Sequence, residues 1–223
     1  MFHIALDGPS GAGKSTVAKE LAKRLNIIYV DTGALYRTIG YYEFINGISK
    51  DDKAAVVESL KDIDIEMIHE NGVQKVLLNG EDLGDKIRLP EISMYASAVS
   101  AIPEVRRFLL ETQRSIARAN SVIMDGRDIG TVILPDAKVK IFLTARLEAR
   151  AQRRYAELIE KGKQVTYDEV YADMALRDSN DSSRAEAPAI PAADAVIFDN
   201  SDLDFEQSVQ GILALVNERL SDQ

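Results

Sequence analysis

The chain contains no cysteine and only two histidines, His3 and His69. The missing cysteine excludes disulfides, thiolate zinc sites, iron–sulfur clusters and a cysteine nucleophile. It also suits a reducing compartment. Two histidines exclude a histidine-rich metal cage and weigh against a Ser-His-Asp triad. His3 reads as packing at the start of a strand and His69 as a turn residue. Long apolar runs are missing as well. The longest, Ile212 to Val216, has about five residues, against the roughly 20 that a spanning helix needs. Met1-Phe2-His3-Ile4 shows no basic region followed by an apolar stretch, so no signal peptide is expected. The expectation is a soluble, cytoplasmic, monomeric protein with no membrane partner. A basic excess is absent too: Lys and Arg number 27 against 36 Asp and Glu, a net charge of -9. That balance argues against nucleic acid as a partner. A small anionic ligand in a local basic pocket stays open.

The composition of the 223 residues is ordinary for a globular protein, 46% hydrophobic and 28% charged. The length fits a single domain with an insertion better than two independent domains. Five short apolar segments recur: His3–Asp7, Ile27–Asp31, Ser121–Asp125, Lys138–Leu143 and Ala195–Asp199. Such runs suit strands of a parallel sheet covered on both faces. Helical spacing lies between them, in Val17, Ala18, Leu21 and Leu25, in Val105, Phe108 and Leu109 after Pro103, and in Leu147, Ala151, Tyr155 and Leu158. A last helix carries Val209, Ile212 and Val216, with Ser201 or Asp202 as its cap. Ile63–Ile68 instead alternates with period two, and His69-Glu70-Asn71-Gly72 and Asn79-Gly80 supply turn chemistry. The expected fold is α/β. A central parallel sheet of five strands is flanked by helices, and an antiparallel β insertion occupies about residues 62–100.

Gly8-Pro9-Ser10-Gly11-Ala12-Gly13-Lys14-Ser15 matches G-x-x-x-x-G-K-[ST] between the first strand and the first helix. Glycines let successive backbone N–H groups converge on a phosphate. The following helix directs its positive dipole end at the anion. Lys14 can reach the outer phosphates, and the Ser15 hydroxyl can ligate Mg²⁺. The loop, with Thr16, is the candidate site for ATP and Mg²⁺. What is done with the nucleotide is a separate question.

Asp125 ends an apolar strand and can orient Mg²⁺ beside Ser15, or be a solvated strand end. Asp31 is open between the same two readings. Arg146, Arg150 and Arg153 share one helix face. Arg146 reads as solvated surface, and Arg150 and Arg153 as candidates for the nucleotide. Arg177 and Arg184 flank Asp181 in a polar stretch that reads as a mobile loop after a helix. Lys14, Arg127, Arg177 and Arg184 are the candidate catalytic cations, since phosphoryl transfer needs positioned positive charge more than a nucleophile. A nucleotide-switched scaffold is the rival class. The absence of an Asn-Lys-x-Asp guanine-reading motif weakens it.

Four segments together resemble the bacterial cytidylate kinases, which are P-loop nucleoside monophosphate kinases. They are the glycine loop, Asp31-Thr-Gly-Ala-Leu-Tyr-Arg37, Asp125-Gly-Arg-Asp-Ile-Gly130, and Arg177-Asp-x-x-Asp181-x-x-Arg184. The resemblance implies ATP-dependent phosphorylation of CMP and dCMP. It implies that Thr32, Arg37 and Arg127 hold the acceptor phosphate. Ser97, Arg106 and Asp128 would read cytosine, and Arg177, Asp181 and Arg184 would contact sugar and phosphates. A mobile lid, roughly 157–184, would close over both nucleotides. Related chains carry extra arginines between the last two; here Ser179, Asn180, Ser182 and Ser183 stand there.

Overall fold

The computed structural model describes residues 1–70 and 73–221. The turn expected at Asn71-Gly72 lies outside them. In chain order the elements are β1 (His3–Asp7), α1 (Lys14–Leu25), β2 (Ile28–Asp31), α2 (Thr32–Ile45), α3 (Lys53–Ser59), β3 (Ile65–Glu70), β4 (Val73–Leu78), β5 (Glu81–Asp82), α4 (Pro90–Val99), α5 (Pro103–Ala119), β6 (Val122–Gly126), β7 (Val139–Thr144), α6 (Leu147–Glu160), α7 (Tyr167–Ser182), β8 (Val196–Asp199) and α8 (Phe205–Ser221). The five apolar segments of the sequence form one sheet in the order β2-β6-β1-β7-β8. A second sheet has the order β3-β4-β5. The chain forms two compact units, 1–27 with 121–223, and 28–120.

In the first unit β1 lies between β6 and β7, parallel to both, with Leu6 opposite Asp125 on one side and Ile141 on the other. β8 extends the sheet beyond β7. Ile4, Leu6, Ile123, Met124 and Leu143 are fully buried, as strands covered on both faces require. α1 buries Val17, Ala18, Leu21 and Ala22, and α8 buries Val209, Ile212 and Val216. α8 starts later than the sequence suggested. Asp204 accepts from Gln207 N at 2.8 Å, and Gln207 Oε1 accepts from Asp204 N at 2.9 Å, a reciprocal cap. Ser201 and Asp202 are engaged elsewhere. Ser201 Oγ accepts from Arg146 N, and both Asp202 oxygens accept from the Arg146 guanidinium.

α6 and α7 form a helical pair with its own apolar cluster. Ala151, Val170 and Met174 are buried there among Leu147, Tyr155, Leu158, Tyr167 and Tyr171. A capping box opens α7: Thr166 Oγ1 accepts from Glu169 N, and the Glu169 carboxylate accepts from Thr166 N. The stretch read as a loop is therefore helical through Ser182. Val170, Met174 and Asp181 fall on one face and are buried. Tertiary contact there outweighs the weak helix preference of serine, asparagine and aspartate.

In the second unit the antiparallel ladder runs from Ile65↔Leu78 to Glu70↔Val73. Asn79 (φ 50°) and Gly80 (φ 83°) turn it into β5, the positive-φ pair a two-residue hairpin demands. The β content of 62–100 ends at Asp82, and α4 fills its later part. Leu35, Ile39, Val56, Ile65, Val76, Val99, Val105 and Leu109 belong to one core. No helix among the described residues is long and apolar enough to cross a membrane.

Candidate active site

The glycine loop leaves β1 at Asp7 and enters α1 at Lys14. Gly8, Gly11 and Gly13 have φ of 144°, 74° and 88°, values L side chains rarely adopt. Gly8 is also the tightest position. A Cβ there would lie 2.0 Å from the Leu143 carbonyl oxygen of β7, so only glycine fits. Gly13 caps α1 with no side-chain acceptor, and the first turn has no acidic residue. The orphan N–H groups at this helix start are thus left to an anionic ligand.

Three side chains brace the loop by its carbonyl groups. Lys14 Nζ donates to Pro9 O at 2.8 Å. Arg150 donates Nη1 to Ser10 O at 3.0 Å and Nε to Ala145 O, and it pairs with Asp178 at 2.6 Å. Asn200 Nδ2 donates to Ala12 O at 3.0 Å, while Arg153 donates to both the side-chain and main-chain oxygens of Asn200. Arg150 and Arg153 were expected to touch the nucleotide; in this structure the Arg150 guanidinium bonds the Ser10 and Ala145 carbonyls and that of Arg153 bonds Asn200. Asn200 and Asp178 were missed by sequence reading. Both partners lie more than a hundred residues from the loop, and no local spacing marks them.

Lys14 is buried, 6% exposed. Burial first, then the Arg127 and Arg177 charges, hold its ammonium well below its ordinary pKa, against the pull of Asp125 and Asp7. An arriving polyphosphate would supply the missing counter-charge. Ser15 Oγ donates to Asp125 Oδ2 at 2.7 Å. Asp125 is buried and its side chain accepts from Ser15.

Asp181 draws the arginines together. Its carboxylate, 3% exposed, accepts from Arg127 Nε at 2.8 Å and from Arg184 Nη2 at 2.5 Å. Burial pushes the Asp181 pKa up, but Arg127, Arg184 and Arg177 overcome it and hold the carboxyl below its usual range. Arg177 Nη1 lies 3.5 Å from Ser10 Oγ. A cluster of guanidinium groups therefore stands by the loop in a chain of net negative charge.

Asp128 is the N-cap of a π-helical turn, Ile129–Ile133. The first two N–H groups of that turn, Ile129 and Gly130, both donate to Asp7, at 2.8 Å each. Burial pushes the Asp7 carboxyl up to about 6, while the Gly130 and Ile129 bonds pull it down. Asp7 was read only as a strand terminus. Its partners are more than 120 residues away, beyond any local motif.

In the second unit Asp31 caps α2 through Ala34 N at 3.1 Å and holds Arg37 Nη2 at 2.7 Å. Arg37 Nε is buried without a partner, an orphan donor of the kind that ligands satisfy. Thr32 is buried at the start of α2. Arg106 lies over the Tyr36 ring at 5.7 Å and donates to Ser100 O, and Ser100 Oγ donates to Ser97 O. Arg106 and the Ser97 carbonyl are thus both bonded to Ser100, between α4 and α5.

The family model described as "Cytidylate kinase" matches residues 4–218. The cytidylate kinase of Caldicellulosiruptor bescii is 49% identical over 214 residues, 96% of this chain and 95% of that one. The cytidylate kinase of Thermosipho melanesiensis is 47% identical over 217 residues, 97% of each. Among solved structures, an uncharacterized protein from Eubacterium ventriosum is alike in fold, with TM-score 0.52 and 13% identity over 100% of both chains. With the glycine loop, the guanidinium cluster and full-length likeness in agreement, the chain belongs to the cytidylate kinase family of enzymes.

Proposed function

We propose that this enzyme transfers the γ-phosphoryl group of ATP to CMP and dCMP, giving ADP with CDP or dCDP. The observation that carries the reading is the glycine loop with Lys14 buried in it and Ser15 paired to Asp125 at its edge. Such a loop binds polyphosphate, and nothing in it serves as a covalent nucleophile.

The donor set fits Mg²⁺. Mg²⁺ takes hard oxygen donors, and a hydroxyl hydrogen-bonded to a carboxylate supplies them. Ser15 Oγ and Asp125 Oδ2 are 2.7 Å apart. Ser15 would ligate the ion and Asp125 would orient its shell. Bound there, the ion would neutralise charge between the outer phosphates. Asp125→Asn should raise the Mg²⁺ concentration for half-maximal rate by about 10–100-fold, the usual scale for a supporting group. A metal titration that overlays the parent's would remove Asp125 from this role.

Arg37, with its orphan Nε, supports an acceptor phosphate held with Thr32 and Arg127. Arg177, Asp181 and Arg184 are assigned to the sugar and the transferring phosphates, on a lid of about 157–184. Lys14, Arg127, Arg177 and Arg184 balance the charge as an acceptor phosphate oxygen bonds to the γ-phosphorus and the bond to the β–γ bridging oxygen breaks. That acceptor oxygen is already ionised, so no general base is required.

Ser97, Arg106 and Asp128 are assigned to the base. Cytosine accepts at O2 and N3 and donates from N4. Arginine can donate to the first pair, and aspartate can accept from the amine. Uracil reverses polarity at N3 and position 4, and each buried group left unpaired costs on the order of 1–3 kcal/mol. Coupled assays with ATP and CMP, dCMP, UMP or AMP should give kcat/KM for CMP at least ~10-fold above UMP. Equal turnover of UMP overturns the cytosine assignment. ADP release at the same slow rate with and without CMP would instead favour a nucleotide switch.

A further inference from the structure

Asp7 takes no part in the phosphoryl transfer described above, yet it is a buried carboxylate, 4% exposed, at the end of β1. Both of its oxygens are engaged by one short segment. Oδ1 accepts from Ile129 N and Oδ2 from Gly130 N, each at 2.8 Å. These are the first two N–H groups of the π-helical turn, which no bond within the turn can satisfy. The turn closes with Leu134 N donating to Ile129 O at 2.7 Å, a five-residue step, and such turns are rare and cluster at functional sites.

A helical turn of this kind is ordinarily capped by its own N-cap side chain. Asp128 holds the N-cap place but makes no side-chain cap bond. Asp7 performs that task from another strand. Gly130 leaves room for the close approach: a Cβ there would lie 3.3 Å from Asp7 Oδ2 and 3.2 Å from Lys140 Cδ, tight enough to push on both side chains.

We infer that Asp7 is a positioning residue that caps the Ile129–Ile133 turn in place of Asp128, and so sets Asp128 for reading the acceptor base. This rests on the assignment of Asp128 to cytosine. Asn at position 7 offers a single acceptor oxygen, so one of the two N–H bonds is lost. The segment that follows Asp128 then loses one of its two bonds to Asp7, keeping the Val132 and Ile133 bonds to the Asp128 carbonyl, while the glycine loop keeps its own braces at Arg150 and Asn200.

The test compares Asp7→Asn, Gly130→Ala and Asp128→Asn in steady-state kinetics, with ATP affinity measured by titration in the absence of acceptor. Asp7→Asn should raise the CMP KM about 10-fold or more and shrink the CMP:UMP ratio of kcat/KM by a similar factor. ATP affinity should change less than the CMP KM, since the Arg150 and Asn200 braces of the loop stay in place although one carboxylate charge near Lys14 is lost. Gly130→Ala strains the same contact from the other side and should give the same pattern at smaller size. It decides the matter if Asp7→Asn does not fold. A Asp7→Asn enzyme with parental CMP:UMP selectivity, or one losing ATP and CMP affinity equally, overturns the inference. Asp128→Asn without effect on that ratio overturns the reading of Asp128 itself, and the role of Asp7 with it. Asp128→Asn with loss of selectivity but Asp7→Asn without it removes Asp7 alone.

Discussion

Lys14→Ala is expected to cut turnover by at least ~10³-fold, the scale of removing a positioned cation from a developing oxyanion, while the melting temperature is unchanged or raised. The two halves of that result share one cause. Burial and the Arg127 and Arg177 charges already disfavour the Lys14 ammonium in the folded chain. A group whose charged form is disfavoured by folding subtracts stability at neutral pH, so its removal relieves the fold. What is lost is a charge that phosphate would have welcomed. Initial rates in the coupled assay, with thermal unfolding alongside, check both halves. Turnover within tenfold of the parent removes Lys14 from the reaction, and a large fall in melting temperature would make it a structural residue instead.

Arg184→Ala is expected to lower kcat by ~10³-fold with little change in the CMP KM, about 4 kcal/mol of transition-state stabilisation. Arg184 shares Asp181 with Arg127. After the substitution Asp181 keeps one guanidinium partner, so the buried carboxylate is not stranded. The loss should therefore report the missing charge more than a collapsed site. The division between constants decides the role. A change confined to the CMP KM places Arg184 in ground-state binding.

The sequence carried β1, the glycine loop and α1 almost residue for residue, because each is specified locally. Apolar strand, positive-φ glycines and amphipathic helix follow one another without distant help. The five sheet segments were legible for the same reason, since strands buried on both faces are apolar throughout. The Arg177–Arg184 stretch was not. Its polar residues favour turns, and its helix depends on Val170 and Met174 packing against α6. The start of α8 was misplaced although Asp204-x-x-Gln207, a capping-box pattern, was present to be read. Ser201 and Asp202 stand just before it, and only geometry shows that both are already engaged by Arg146. The Ser15–Asp125 hydrogen bond joins two residues that sequence motifs had singled out. The site was illegible where a residue serves the motif from afar, as with Asp7, Asn200 and Asp178. The partners of Arg150 and Arg153 were not legible, because a guanidinium bonded to a distant carbonyl carries no local mark of it in sequence.

The capping box at Thr166 and Glu169 stands about 17 Å along the helix axis from Arg177, at 1.5 Å per residue. Helix formation is cooperative, and an uncapped first turn frays. Those two hydrogen bonds thus secure the first turn of α7, and Val170 and Met174, packed against α6, carry the helix on toward Arg177. A substitution at position 166 acts on the helix start alone, away from the arginines.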